Sequence, residues 1–234
     1  MRKISICHWQ NPFPHQEGAA VVFDIFRCST TIHCLAQQNH GPLFVSASLQ
    51  TAAENPGSAD MRIFSELSQN IACKERYDNS PYSVLNTAWP ADMPALVSTT
   101  TGTPAMFAAR NFSKVFVGSL VNFSALIRSL HAYPGSITLI PAAFQESDHI
   151  EDEITAMAVA KCLEGFTDMQ DFIKACAAEA KERITASHRP AHLAKKIPTG
   201  AADVEIALDV DRFSHYLELD FSSPKPFAQV LRHR

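Results

Sequence analysis

The sequence predicts an α/β fold, a mainly parallel sheet covered by helices in three layers, with a more helical C-terminal portion. In the first half of the chain, short apolar runs alternate with helical segments, the pattern of a parallel sheet linked by crossover helices. The first of these runs, Ala19-Ala20-Val21-Val22-Phe23, carries no polar residue and suits a strand buried on both faces. The chain has 234 residues, 46% of them hydrophobic, enough to bury a substantial core.

In chain order, the strand at 19–23 is followed by a helix at 29–38, whose β-branched residues fall at its start. Further strands are predicted at 43–46, 61–64, 95–98, 115–117 and 137–140, with helices at 104–111, 124–132 and 151–163. The segment 66–94 is long for a plain connection and carries two turn formers, Asn79-Ser80-Pro81 and Trp89-Pro90. Beyond residue 166 the spacing predicts one long helix over 168–187 with Thr167 as its N-cap, then a stretch punctuated by Pro190 and Pro198. A short strand is predicted at 204–208, and the tail 225–234 carries little structure signal. The chain reads as a single unit over 1–234, with a subdivision near 166 into an α/β core (1–165) and a helical portion (166–234).

Composition narrows the functional classes. A net charge of -4 and a pI near 6.2 provide no global basic field, so no nucleic-acid partner is expected. The basic stretch 181–196 is interrupted by Glu182 and by apolar positions and reads as a solvated helix face. Apolar runs fall far short of the roughly 20 residues a spanning helix needs, and the N-terminus lacks signal-peptide character, so a cytosolic protein without a membrane partner is expected. The six cysteines are irregularly spaced with no C-x-x-C pair, which fits neither zinc nor a disulfide framework. His188 and His192 are spaced i,i+4, but the proline between them argues against a metal pair. Neither a G-x-S-x-G elbow nor a G-x-x-x-x-G-K-[ST] loop is present.

Three clusters could carry chemistry. Asp24 ends the first long strand, at the edge where α/β sheets place ligands, and its carboxylate is a hard oxygen donor of the kind Mg²⁺ accepts. Arg27 offers a planar fork that matches phosphate, and Ser29, Thr30 and Thr31 open a helix whose free N–H groups favour an anion. The competing reading makes Asp24 a helix cap paired with Arg27 at the surface. A second hydroxyl-rich turn, Thr99-Thr100-Thr101-Gly102-Thr103, lies between a strand and a helix, where Gly102 permits close backbone approach. The third cluster, Glu151-Asp152-Glu153, starts a helix and either complements its dipole or joins Asp24, Glu66 and Asp78 at one edge of the sheet.

The stretch Asp24-Ile25-Phe26-Arg27-Cys28-Ser29-Thr30-Thr31-Ile32 resembles the D-x-x-R-[AC]-[ST]-[ST]-T-I signature of the 2-phosphosulfolactate phosphatases. Four later segments follow in that family's order. Asp78-Asn79-Ser80-Pro81 is similar to its G-N-S-P, 99–105 to its T-T-N-G-T-x-A, Gly118-Ser119-Leu120-Val121-Asn122 to its G-S-x-x-N, and Glu151-Asp152 to its E-D before a helix. The resemblance implies Mg²⁺-dependent hydrolysis of a small phosphorylated acid, such as 2-phosphosulfolactate, to the hydroxy acid and inorganic phosphate, and it makes a homodimer an expected assembly. It implies catalytic roles for Asp24, Arg27, Glu151 and Asp152, and Mg²⁺ ligands among Asp24, Glu66, Glu151 and Asp152. Substrate contacts are implied for Ser29, Thr30, Thr31, Asn79, Ser80, Thr100, Thr101, Gly102, Thr103 and Asn122. This chain has Thr101 in place of the family asparagine, Pro104 in place of a basic residue, Asp78 and Ser65 in place of glycines, and Ala142-Ala143-Phe144-Gln145-Glu146 in place of a glycine-rich turn. A protein that keeps the anion corner but has lost turnover is the alternative these changes leave open. The residues are compatible with attack by water and with a phospho-aspartyl intermediate at Asp24.

Overall fold

The computed structural model describes the chain except residues 1, 12, 14–16, 39, 40, 74, 91, 93, 144–148, 165–168 and 223–225. The predicted cap Thr167, the helix start at Asp168, the turn residues 144–146 and the first tail residue, Lys225, lie outside the described residues. In chain order the elements are β1 (Ile4–Ile6), β2 (Ala19–Phe23), α1 (Cys28–Gln37), β3 (Leu43–Ser46), α2 (Leu49–Glu54), β4 (Arg62–Ser65), β5 (Arg76–Asp78) and α3 (Pro81–Asn86). They continue with β6 (Ala95–Val97), α4 (Gly102–Ala108), β7 (Lys114–Gly118), α5 (Phe123–Ala132), β8 (Ile137–Pro141) and α6 (Ile150–Glu164). The C-terminal third holds α7 (Met169–Thr185), α8 (Arg189–Lys196), α9 (Gly200–Ala207), β9 (Tyr216–Asp220) and β10 (Phe227–His233).

The described strands form one sheet in the order β1-β8-β2-β7-β9-β10-β3-β6-β4-β5. Within β1-β8-β2-β7 and within β3-β6-β4-β5 every pair is parallel, as expected for an α/β fold. The hairpin β9-β10 joins these two groups through antiparallel pairs on both sides. Sheet twist, roughly 20–25° per strand step, accumulates over the five steps from β2 to β6 and lets residues that follow these two strands meet. Among the described residues, no helix is long and apolar enough to cross a membrane.

The period-2 geometry of β2 feeds two cores. Ala19, Val21 and Phe23 pack with residues of α5, α6 and α7, whereas Ala20 and Val22 pack with residues of α1, α4, β3 and β6. Burial on both faces explains why β2 has no polar residue.

The strand predicted at 204–208 is helix α9, and the unstructured tail contains β10. Val204, Ala207 and Leu208 share one helical face and join the first core, so the helical period outweighs the alternation of Val204, Ile206 and Leu208. Gly200 lets α9 start hard against α8, because a Cβ there would lie 2.1 Å from the Leu193 carbonyl oxygen. In the tail, β10 is held by non-local pairing to β9 and β3, which local propensity does not report. The long segment 66–94 contains β5 and α3.

A buried histidine pair ties α1 to the segment before β9. The Val117 carbonyl only accepts, so His33 Nε2–H donates to it at 3.1 Å; His33 Nδ1 then accepts from His215 Nε2–H, also at 3.1 Å. This arrangement needs His33 neutral, and burial favours the neutral form of His215 as well. Burial and the neighbouring His215 push His33 down to about 3, and burial with Arg232 pushes His215 down to about 4. Both folded values lie below the ordinary 6.5, so the unfolded chain binds more protons than the folded one between those values. The pair's contribution is complete above about pH 6.5 and is lost as pH falls toward 4. Denaturant titrations at pH 7.5, 6 and 5 are expected to show a steeper loss of stability in the wild type than in a His33→Leu/His215→Phe variant. Equal pH slopes would contradict the neutral pair.

Candidate active site

β2 ends at Phe23, and the next residue, Asp24, is buried where α1 begins. Its Oδ1 accepts from the Cys28 N–H at 3.3 Å and its Oδ2 from the Thr101 hydroxyl at 3.2 Å, while its own N–H donates to Ser29 Oγ at 3.0 Å. Asp24 therefore caps α1 in part, but Arg27 does not pair with it. Gly102 opens α4 directly against this carboxylate, since a Cβ there would lie 2.5 Å from Asp24 Oδ2. The hydroxyl-rich turn after β6 thus converges on Asp24, and its glycine is required by that approach.

From the opposite side comes α6. Asp152 Oδ1 accepts from the Ile25 N–H at 2.8 Å, so the helix start grips the turn that carries Asp24. Glu66, just past β4, is held by the backbone and hydroxyl of Thr100 at 3.2 and 3.4 Å. Burial, reinforced by the charge of Glu66, pushes Asp24 up to about 6. Burial, followed by the charges of Asp24 and Glu151, pushes Asp152 well above its ordinary value. Acids held close enough to raise one another have the hard oxygen chemistry and the uncompensated negative charge that suit a divalent cation. Among the described residues, no three His, Cys, Asp or Glu side chains already form a metal-binding group. Cys28 stays a thiol, because burial and Asp24 push it well above its ordinary range.

Two of the expected catalytic side chains are engaged elsewhere. Arg27 Nη1 and Nη2 donate to Asp78 at 2.6 and 3.2 Å, and Nη1 also reaches Asp203 at 3.2 Å. Asp78, which stands where the family pattern has glycine, supplies a carboxylate that closes the fork. Asp203, at 0% exposure, additionally accepts from the Ser80 hydroxyl, the Tyr82 N–H and the Thr199 hydroxyl. Arg27 therefore braces α1, β5 and α9 together. Glu151, expected among the metal ligands, is clamped through both oxygens by Arg189 at 3.0–3.2 Å.

Several expected substrate contacts turn inward. Thr30 bonds the Ile25 carbonyl and Ser119, Ser80 caps α3, and the Thr103 hydroxyl bonds the Thr99 backbone, so these residues shape the turns. Asn122 Oδ1 accepts from the Ser119 N–H, while its Nδ2, Thr31 Oγ1 and Asn79 Oδ1 are buried without a partner among the described residues. Asp203 and Arg189 were not singled out from the sequence. An acid on the same helical face as Gly200, Val204 and Ala207 is the signal that points to Asp203, once that stretch is read as a helix.

The α/β sheet carries Asp24, Glu66 and the hydroxyl-rich turn at 99–103 just past the ends of β2, β4 and β6, the edge at which α/β enzymes of this architecture bind their ligands. The sequence matches the family described as 2-phosphosulpholactate phosphatase across residues 8–219, and the chain belongs to that family. A curated relative from Symbiobacterium thermophilum, described as a probable 2-phosphosulfolactate phosphatase, is 28% identical over 151 residues. That match covers 62% of this chain and 64% of the relative, slightly less than two thirds of the relative's length.

Proposed function

We propose that the chain is a Mg²⁺-dependent phosphatase of 2-phosphosulfolactate or a closely related small phosphorylated acid, releasing the hydroxy acid and inorganic phosphate. Family membership supports the reaction class. The observation that carries the site is the meeting of Asp24 with Thr101, Gly102 and the Asp152-bearing helix at one corner.

Asp24, Asp152 and Glu66 would hold the cation, and Mg²⁺ when bound supplies the positive charge that neutralises phosphoryl oxygens. The residues around them set the geometry. Thr101 and the Cys28 N–H each engage one oxygen of Asp24, which fixes the carboxylate plane. Thr100 orients Glu66, and Ile25 N–H orients Asp152. Asp24 would act on phosphorus in this reading, either by direct attack or by accepting a proton from water. Arg27, engaged by Asp78 and Asp203, holds the β2–α1 turn in place as a positioning residue.

Phosphate release from a panel of phosphorylated three-carbon acids, before and after exhaustive chelation, tests this reading. Turnover is expected to fall to background on chelation and to return with added Mg²⁺. Full activity after chelation would remove the metal from the mechanism. Tight binding of these acids with no turnover at any Mg²⁺ concentration would favour the anion-binding alternative, to which the closure of the Arg27 fork by Asp78 lends support.

A further inference from the structure

Glu66 directly follows β4 and is carried by a loop with little packing of its own. Leu67 is 60% exposed, and Ser68 and Asn70 are exposed as well, so buried side chains do little to fix this stretch. Arg76, the first residue of β5, fixes it instead. Its Nε donates to the Ser65 hydroxyl at 2.8 Å, its Nη1 to the carbonyls of Gln69 and Ile71 at 2.6 and 3.0 Å, and its Nη2 to the Glu66 carbonyl. The Gln69 N–H also donates to the Glu66 carbonyl, at 3.2 Å, and closes the loop on itself. Every nitrogen of the guanidinium is thereby engaged by residues 65–71, and among the described residues none of them meets a carboxylate. The half-buried carboxylate on this scaffold is pinned from two sides. Gln69 Nε2 donates to Glu66 Oε2 at 2.8 Å, and the Thr100 N–H and hydroxyl engage Oε1 at 3.2 and 3.4 Å. Thr101, next in the chain, donates to Asp24 Oδ2 at 3.2 Å, so hydrogen bonds and one peptide link join Arg76 to the reacting corner.

We propose that Arg76 is a positioning residue of this corner: by holding the 65–71 loop, it presets the Glu66 carboxylate for the divalent cation expected at Asp24. The inference rests on the Mg²⁺-dependent phosphatase reading, which it deepens by assigning the residue that prepares one arm of the cation site.

The geometry favours this role over that of an ordinary loop staple. A guanidinium presents five N–H groups in a rigid plane, and here that plane meets four oxygens that belong to one short loop, a task an ammonium cannot perform. Ser65 stands where the family pattern has glycine, and its hydroxyl supplies an acceptor that glycine lacks, so the brace is written into this chain's own sequence. Asp78, two residues beyond Arg76 and on the same side of β5, fixes Arg27 in the turn that carries Asp24. One short strand thus sets both the turn behind Asp24 and the loop that presents Glu66. Carboxylates that hold a cation are fixed by outer partners of this kind, and losing such a partner weakens metal binding by roughly 10- to 100-fold.

The test is a double-mutant cycle on metal affinity, a readout that needs no turnover. Mg²⁺ alone is titrated calorimetrically into the wild type, Arg76→Ala, Glu66→Gln and the double variant, with melting temperatures recorded beside the affinities. Each single variant is expected to bind Mg²⁺ roughly tenfold more weakly. The double variant should bind no more weakly than Glu66→Gln, because Arg76 acts through that carboxylate. In steady-state phosphate release, Arg76→Ala should need correspondingly more Mg²⁺ for half-maximal rate, with a smaller loss of kcat once Mg²⁺ saturates. Unchanged Mg²⁺ affinity beside a lower melting temperature, or losses that add in the double variant, overturn the proposal and leave Arg76 a structural staple. Where Arg76→Ala does not fold, Gln69→Ala removes the contact to Glu66 Oε2 and runs through the same cycle with the same expected non-additivity. A wild type that binds Mg²⁺ and shows the coupling but hydrolyses no phosphorylated acid overturns the phosphatase reading alone, whereas a wild type that binds no Mg²⁺ overturns both.

Discussion

Asp24→Asn is expected to lower kcat by on the order of 10³- to 10⁵-fold, as removal of a group acting directly in the reaction does, while making the protein more resistant to heat. The two effects separate because of the burial of this carboxylate. Its folded value, about 6, lies above the ordinary 3.8, with burial the main cause and Glu66 the next. The ionised form therefore burdens the fold above about pH 6, and the burden fades as pH falls through that value toward 3.8. Asparagine has nearly the same shape and carries no charge, so at pH 7.5 it removes that burden. A rise of about two units corresponds to roughly 3 kcal/mol, part of which is offset by weaker hydrogen bonds from Cys28 and Thr101. A net gain of about 1–2 kcal/mol would raise the melting temperature by roughly 2–8 °C in a chain of this size. Steady-state phosphate release and a thermal scan on the same preparation check both halves. A variant that melts lower and keeps its specific activity would make Asp24 a helix cap and nothing more.

Arg27→Ala is expected to destabilise the fold by about 3–5 kcal/mol, the cost of leaving buried charges without their partner. Arg27 is 5% exposed and Asp203 0%, so neither charge can turn to water when the other is lost. Within a total stability of about 5–15 kcal/mol, such a loss threatens soluble expression. Arg27→Lys keeps the charge but cannot reach both Asp78 and Asp203 with one ammonium as the fork does, so it should fall between the two. Arg27→Ala/Asp203→Asn should recover part of the loss, because the unpaired buried carboxylate is then gone. Urea unfolding of these proteins together with Asp203→Asn closes the cycle and measures this coupling. If Arg27→Ala unfolds at the wild-type urea concentration and loses only activity, the guanidinium serves the phosphoryl group directly, as the sequence alone suggests.

The parts of the fold and site legible in the sequence are those set by local pattern. β2 was readable because its apolar run requires burial on both faces, and the place of Asp24 at the strand end followed from it. The Thr99 to Thr103 turn was readable as a place of close approach, although only the structure shows that the carboxylate pressing on Gly102 is Asp24. The Arg27 brace was not legible, since it spans 51 residues to Asp78 and 176 to Asp203. Spacing cannot distinguish a guanidinium that awaits phosphate from one already closed on two carboxylates. The Arg189 clamp was hidden in the same way, inside a basic stretch whose other members do face solvent. The hairpin β9-β10 escaped because it is stabilised by pairing with β7 and β3, far away in sequence.

The most direct test is a crystal soaked with Mg²⁺ and a phosphate analogue such as tungstate, with the anion and metal placed from their own scattering. The expected result is a cation about 2.0–2.1 Å from an oxygen of Asp24, as Mg²⁺ requires, with Asp152 or Glu66 contributing directly or through water and the anion between this cation and the Thr100–Thr101 turn. Metal and anion bound away from Asp24, with its carboxylate still engaged only by Cys28 and Thr101, would contradict it.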